Sequence, residues 1–450
     1  MTTIVWLRND LRLADNPALA DAAARGPVVP VYVWAPEEEG DWPPGAASRW
    51  WLHRSLDALD TALRRRGSRL VIRRGPALET LRALAAETGA GAVAWNRRYE
   101  PAAVDRDSAV KRELGTCRSF GGSVLREPWT LATGAGEPYR VFTRFWRALR
   151  AMGEPDEPLP EPALPAPEAW PESLALADLE LLPRIPWDSG LAEEWTPGEA
   201  GGRERLDDFL RRAARYEGDR DRPALPTSQL SPHLHFGELS PRRVWTAVRD
   251  AAGHAAEPYL RQLGWRDFAH HLLYHFPHTA SEPLQIEYWH MPWRNDRSGL
   301  EAWQRGETGF PLVDAGMRQL WQRGWLHNRA RMVTASFLTK DLLVDWREGA
   351  RWYWDTLVDA DLANNTLGWQ WVAGSGADAA PYHRIFNPDT QASRFDPDGA
   401  YAARWLGEGP RPEPIVDHAL ARRRALDAYE KVRRSRGSRG RRPAPGRSPT

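Results

Sequence analysis

Apolar and polar positions alternate in two different rhythms along this chain, and the change comes near residue 200. Ile4 to Leu7 is a short apolar run, closed by the charged turn RNDLRLADNP and followed by the alanine-rich Ala18 to Ala24, which predicts strand, loop and helix. Val28 to Trp34 (VVPVYVW) predicts a second buried strand, and Ser48 to Arg66 places Trp51, Leu52, Leu56, Leu59 and Leu63 at helical spacing. Leu70 to Ile72, a helix over Ala77 to Glu87, and Gly91 to Trp95 continue the alternation. Strands alternating with helices imply a parallel sheet covered on both faces, so residues 1–129 are expected to form a doubly wound α/β domain.

From Gly153 to about Gly201 the rhythm stops in GEPDEPLPEPALPAPEAWPES, where repeated prolines forbid a continuous helix or central strand. An interdomain connection is expected over 130–201, held to the surface by Trp170, Leu181, Leu182 and Trp187. Beyond Gly202 the spacing is helical in Arg205 to Tyr216, Pro241 to Ala251, Tyr259 to His275, Gly316 to Arg323, His327 to Asp345 and Gly349 to Leu357. An all-α domain is expected over 202–430, with a basic disordered tail over 431–450.

Composition narrows this picture. At 450 residues the chain exceeds the size at which one core keeps growing, which again implies two domains. Cys117 is the single cysteine, so no intrachain disulfide framework or cysteine-rich zinc site is possible, and a reducing compartment suits it. The start MTTIVWLRNDLRLADN carries charges where a secretory signal needs an apolar run, and no later stretch is apolar enough to span a bilayer. A cytoplasmic protein with no membrane partner is expected. The net charge of +1 hides an asymmetry: ten Arg and one Lys against Asp427 and Glu430 make Ala421 to Thr450 +9 and leave −8 for the rest. That end could hold a polyanion or be a solvated terminus.

Doubly wound sheets bind ligands beyond the carboxyl ends of their strands, but no GxGxxG follows Ile4 to Leu7, which speaks against NAD. GAASRWWL (45–52) and WNRRYEP (95–101) put aromatic and basic residues near the predicted sheet ends, where packing and ligand binding would use them equally well.

Three constellations in the helical part carry chemistry. In YEGDRDRPALPTSQLSPHLHFG, the hydroxyls of Thr227, Ser228 and Ser231 precede Pro232, where a helix can begin; they could cradle a phosphate or serve as an ordinary cap. In YLRQLGWRDFAHHLLYHF, Gln262, Trp265 and Arg266 share a helical face at i, i+3 and i+4. His271 and His275, four apart beside His270, have a spacing that metals use, but no carboxylate or cysteine motif completes a site, and no metal is expected. In Trp321 to Gly399, HNRARM offers Asn328, Arg331 and Met332, the DAD motif offers Asp359 and Asp361, and Arg331 with Asp359 is the natural buried ion pair. Asn365 could present an amide to a heteroaromatic ring, and Trp346, Trp369 and Trp371 supply stacking planes or redox-active indoles.

These residues resemble the photolyase and cryptochrome family over nearly the whole chain. VWLRNDLRLADNPAL is similar to the family's opening strand and loop, and TSQLSPHLHFG, WRDF, TGFPLVDAGMRQL, HNRARM, FLTKDLLVDWREG, DADLANN, GWQWVAGSGADAAPYHRIFNPDTQ and FDPDG match its flavin-domain motifs in order. The resemblance implies an α/β antenna domain joined to an all-α domain that holds FAD in a U shape. It also implies that Tyr216, Thr227, Ser228, Gln229, Leu230 and Ser231 line the FAD phosphates and that Arg266, Asn328, Arg331, Asp359 and Asp361 surround the ribityl and ring system. Asn365 falls at the position facing flavin N5, where Asn suits a fully reduced, anionic flavin. Trp293, Trp346 and Trp369 match the family's electron-carrying tryptophan chain.

The reaction so implied is light-driven repair of cyclobutane pyrimidine dimers in UV-damaged DNA, with the dimer flipped into a pocket beside the flavin. Trp265 and Trp371 would stack on the dimer, Asn328 and Met332 would line its pocket, and Arg329 would contact DNA. One departure stands out: dimer photolyases usually have Glu where this chain has Gln262, and an amide can donate a hydrogen bond but not a proton. Six-four photolyases and animal cryptochromes also have Gln there, together with a second histidine where this chain has Asn328. The competing expectation is a cryptochrome-type blue-light receptor with little or no repair. A third, a flavin-free nucleic-acid-binding protein, would make the FAD motifs relics. A second antenna chromophore, methenyltetrahydrofolate or a deazaflavin, is compatible with the first domain, and the family suggests a monomer.

Overall fold

The computed structural model describes residues 1–407 and 409–435. Five parallel strands, β1 (Thr3–Leu7), β2 (Val28–Trp34), β3 (Val71–Arg74), β4 (Ala92–Asn96) and β5 (Cys117–Phe120), form one sheet in the order β3-β2-β1-β4-β5. β1 and β2 are buried along their whole length, as a sheet covered on both faces requires. Helices Pro17–Arg25, Ala46–Arg64, Ala77–Thr88 and Pro101–Leu114 provide the cover. Two apolar layers result, one with Trp50, Trp51 and Leu56 and the other with Trp6, Leu81 and Trp95. The strand order reverses between β1 and β4, which opens a crevice at their carboxyl ends.

After the sheet the chain does not become irregular at once. Phe142–Ala151 is an amphipathic helix that buries Phe142, Phe145, Trp146 and Leu149, although it lies within the stretch expected to be a connection. Its apolar residues at i, i+3, i+4 and i+7 outweigh the prolines that follow it. The proline-rich stretch beyond it is extended and regains helix at Ser189–Glu194 and Glu199–Leu210.

The helical part is built around the long helix Glu257–His275, which packs on Leu362–Ala373, and Pro311–Arg323, which packs on Asn328–Ser336. One expected helix is divided: His327 to Asp345 is α-helical only over Asn328–Ser336, continues as a wider π turn over Phe337–Asp341, and then leaves the helix at Leu343, φ +57°. His418–Ser435 is a helix that runs past the expected start of the basic tail at 431, and the rest of that tail lies outside the described residues. Among the described residues no helix is long and apolar enough to cross a membrane.

Candidate functional site

A cavity of about 530 Å³ opens between the helices Glu257–His275, Asn328–Ser336, Trp346–Thr356 and Leu362–Ala373 and the loop before Ser231. At one end the loop is pinned from behind. Arg212 donates to the Thr227 carbonyl at 3.1 Å, Arg205 to Gln229 Oε1 at 2.7 Å, and Gln229 adopts φ +50°. The Tyr259 hydroxyl donates to Ser228 Oγ and the Trp325 indole N–H to Ser231 Oγ, each at 3.1 Å. Both serine hydroxyls therefore accept from the protein and keep their own protons for an acceptor outside it. Tyr216 closes this end edge-on to Tyr259, and burial pushes its hydroxyl up to about 12.

The other end is charged. Arg331 Nη2 reaches both carboxylate oxygens of Asp359, at 2.8 and 3.0 Å, and Arg331 Nε donates to the Leu326 carbonyl. Asp361 caps the helix Leu362–Ala373 through the Asn364 N–H at 2.8 Å. Burial raises its carboxyl, but His270 at 3.5 Å and His235 at 3.6 Å outweigh that and hold it well below the usual carboxylate range. Burial likewise lowers His270, and Asp361 more than reverses it, so its pKa lies above the ordinary value. Asn365 spends one of its two amide N–H groups on the Ala350 carbonyl at 3.1 Å, and its carbonyl oxygen accepts no hydrogen bond among the described residues, so it remains an acceptor in a residue that lines the cavity.

Gln262, Trp265, Arg266, Asn328, Met332, Trp369 and Trp371 line the same space. Gln262 donates to the Pro258 carbonyl at 3.3 Å, and Arg266 donates to the Leu234 carbonyl at 3.4 Å and is also bonded to the Ser123 carbonyl. Trp369 rests on Tyr353 with ring centroids 5.0 Å apart and on Trp303 at 6.2 Å. Trp346 shares its buried cluster and Trp293 packs against that cluster, so the three tryptophans lie in one continuous apolar body. Two named residues face elsewhere. The Leu230 side chain is wholly buried in the core with Leu234 and Tyr259, because an apolar residue in a polar loop gains more from burial than from a polar ligand. Arg329 binds Asp221 at 2.7 Å and covers the Phe395 ring, outside the cavity wall.

Several lining residues escaped the sequence reading: His235, Tyr259, Trp325, His327, Tyr353 and Asn364. His327 stands directly before the NRARM segment and caps its helix through the Arg329 N–H. Burial pushes its imidazole down to about 4. The histidine pair expected to be free of metal is accounted for by the backbone: His271 accepts from the Tyr139 N–H and donates to the Pro128 carbonyl, to which His275 also turns. Among the described residues no cluster of three or more His, Cys, Asp or Glu could hold a metal ion.

A second, smaller crevice of about 260 Å³ lies where β1, β2 and β4 end. Its charges are spent within the protein: Glu39 on Arg98 and Arg106 at 2.8 and 2.9 Å, and Arg8 on Asp107 at 3.1 Å. Burial opposes ionisation of Glu39, yet the two arginines hold it at about 2. His235 and Ala360 line both cavities, so only one layer of residues separates them.

Comparison with known proteins shows the family of the chain. The family described as "FAD binding domain of DNA photolyase" matches residues 259–411, and the one described as "DNA photolyase" matches residues 3–166. A deoxyribodipyrimidine photo-lyase of Agrobacterium fabrum is 47% identical over 96% of this chain and 98% of its own. The chain belongs to the photolyase and cryptochrome family. A crystal structure of a bacterial class III photolyase from Agrobacterium tumefaciens superposes with a TM-score of 0.92 at 47% identity, covering 96% of this chain and 98% of that one. Cryptochrome-1 of Arabidopsis thaliana is more distant, 38% identical over 92% of this chain and 64% of its own.

The helical part is thus a photolyase-type FAD-binding domain, and the cavity fits that cofactor by its own chemistry. It has hydroxyl donors at one end for phosphates, and an ion pair and two amides at the other for a polar ring system. Its volume lies in the range of sites that enclose a molecule of cofactor size.

Proposed function

We propose that this chain is a light-driven DNA-repair enzyme that splits cyclobutane pyrimidine dimers. The observation that carries the reading is that the flavin-cradling residues and the dimer-facing set, Gln262, Trp265, Asn328, Met332 and Trp371, line one continuous cavity. FAD held there in its reduced form would supply light-driven one-electron chemistry, an electron lent to the dimer and returned once its cyclobutane ring has opened.

The chain's own residues do the rest. Thr227, Ser228, Gln229 and Ser231 anchor the phosphate end, while Arg331 and Asp359 present one fixed positive and one fixed negative edge to the ring system and need no reorganisation when charge moves. Asn365, held by Ala350, offers a hydrogen-bond acceptor, which matches a ring N–H and so favours the reduced cofactor. Trp265 and Trp371 supply planes on which flipped pyrimidines stack, and Met332 adds a polarizable apolar wall that keeps water away. Trp369, Trp346 and Trp293 deliver electrons from the surface to return the cofactor to its working state. Gln262 holds the dimer by a donated hydrogen bond and supplies no proton to it. The smaller crevice, beside β1 and β4 and one residue layer from the flavin site, is the place for a second light-gathering chromophore.

A blue-light receptor without repair is the second reading, and Gln262 is the observation in its favour. The two separate when the reduced, flavin-loaded protein is illuminated with duplex DNA carrying a cyclobutane thymine dimer. Light-dependent loss of the dimer is expected; its persistence rejects the repair reading.

A further inference from the structure

Trp265 carries a contact that the reaction outlined above does not explain. Its indole lies on the ring of Phe142 with centroids 3.7 Å apart and planes 7° from parallel, while the indole also lines the cavity. Phe142 comes from the helix Phe142–Ala151 and is fully buried. It is backed by Trp146 at 6.2 Å and Phe268 at 5.8 Å, and Arg261 sits 4.8 Å from its centroid. Trp146 in turn is wedged against the backbone at Gly264, where an added Cβ would come within 2.4 Å of its ring. The Phe142 N–H donates to Asp378 Oδ2 at 3.3 Å, and Asp378 holds a left-handed backbone, φ +49°, in the loop after the helix Leu362–Ala373. A half-buried tryptophan at the edge of a cavity this open would otherwise sample several rotamers. Here one face of the indole is already occupied by a ring that cannot move, so the remaining face is presented to the cavity in a fixed plane.

We propose that Phe142 is a positioning residue for lesion recognition: it fixes the Trp265 indole so that a flipped pyrimidine dimer, and not a stacked undamaged base pair, finds a preformed stacking plane. The inference rests on the dimer-repair reading. Phe142 touches neither cofactor nor DNA, and its effect on binding passes through Trp265. An aromatic pair of this kind contributes a factor of about two to ten in an equilibrium.

The test is a double-mutant cycle on flavin-loaded protein in the dark, comparing affinity for a duplex with one cyclobutane thymine dimer and for the same duplex undamaged. Phe142→Leu is expected to lower the ratio of the two affinities about fivefold, with bound FAD and its absorption spectrum as in wild type. In a Trp265→Ala background the same substitution is expected to change the ratio no further, and Phe142→Tyr, which keeps the ring face, is expected to restore it. Should Phe142→Leu not accumulate as folded protein, Phe142→Met fills the site without a ring face and takes its place in the cycle. An unchanged ratio in Phe142→Leu, or an equal loss with and without Trp265, overturns the proposal. A wild-type protein with no preference for the dimer overturns the repair reading as well, so the two failures are told apart.

Discussion

Removing the charge of Asp359 is the substitution whose cost the structure defines best. The Asp359 side chain is 3% exposed and accepts both of its ion-pair bonds from one Arg331 nitrogen, whereas the Arg331 side chain is 25% exposed and keeps a further bond to Leu326. Leaving a buried charge unpaired costs about 3–5 kcal/mol, but a guanidinium with a quarter of its surface wet and one bond retained recovers part of that. Asp359→Asn is therefore expected to destabilise the protein by about 2 kcal/mol, the scale of a lost charge-assisted bond. Urea unfolding followed by tryptophan fluorescence reads the stability, and flavin absorbance after gel filtration reads cofactor retention. Because the pair lines the cavity proposed for the flavin, both readings should fall together, and Arg331→Met combined with Asp359→Asn should cost less than the sum of the singles. An Asp359→Asn protein within about 0.5 kcal/mol of wild type that retains its FAD would refute the bracket as a structural and binding element.

Other outcomes follow from single contacts. Gly349→Ala would place a Cβ 2.0 Å from Trp369 Cη2, so it should destabilise by about 1–3 kcal/mol and slow light-driven reduction of the flavin, read by absorbance under blue light with a thiol donor. Trp369→Phe should abolish most of that photoreduction while chemically reduced protein still repairs, measured by comparing the two protocols. Gln262→Glu should raise the yield of dimer repair per absorbed photon without changing FAD content, which a repair assay at matched flavin absorbance decides. His271 and His327 are held at about 4 by burial against 6.5 ordinarily, so the unfolded chain binds more protons between those values and stability falls as pH drops through that window. By pH 5 each contributes a loss of about 2 kcal/mol, and His271→Gln should make the fall between pH 7.5 and 5 shallower by about that amount in urea midpoints.

How far such features can be read from the sequence depends on whether their cause is local. β2 over Val28–Trp34 was legible to the residue because a run of branched and aromatic side chains bounded by glycine and proline has one local solution. The pairing of Arg331 with Asp359 was legible because a buried guanidinium needs a carboxylate and the DAD motif follows in the loop before the helix Leu362–Ala373. Phe142–Ala151 was hidden by the prolines after it, although its own spacing is amphipathic; composition averaged over a long window masked a ten-residue signal. The break at Phe337–Asp341 left no mark at all, since FLTKDLL continues a helical pattern and the π turn is imposed by packing. Lys340 shows the same limit. It is fully buried over the Tyr382 ring and bonded to the Ala373 carbonyl at a helix end, and burial holds its pKa well below the ordinary value, none of which its neighbours in sequence announce. Leu230 and Arg329 sit inside the right motifs and yet turn away from the cavity, because a motif places a backbone and packing then decides each side chain.

The most direct measurement is single-turnover repair: flavin-loaded protein, reduced in the dark and mixed with an oligonucleotide bearing one cyclobutane thymine dimer, is given a measured dose of blue light and the restored thymines are counted. Repair that is linear in absorbed photons, absent in the dark and lost when Asn365 and Trp265 are both replaced by alanine is the predicted result. Intact dimers after illumination, with FAD bound and reduced, would contradict it and leave a flavoprotein that senses light without mending DNA.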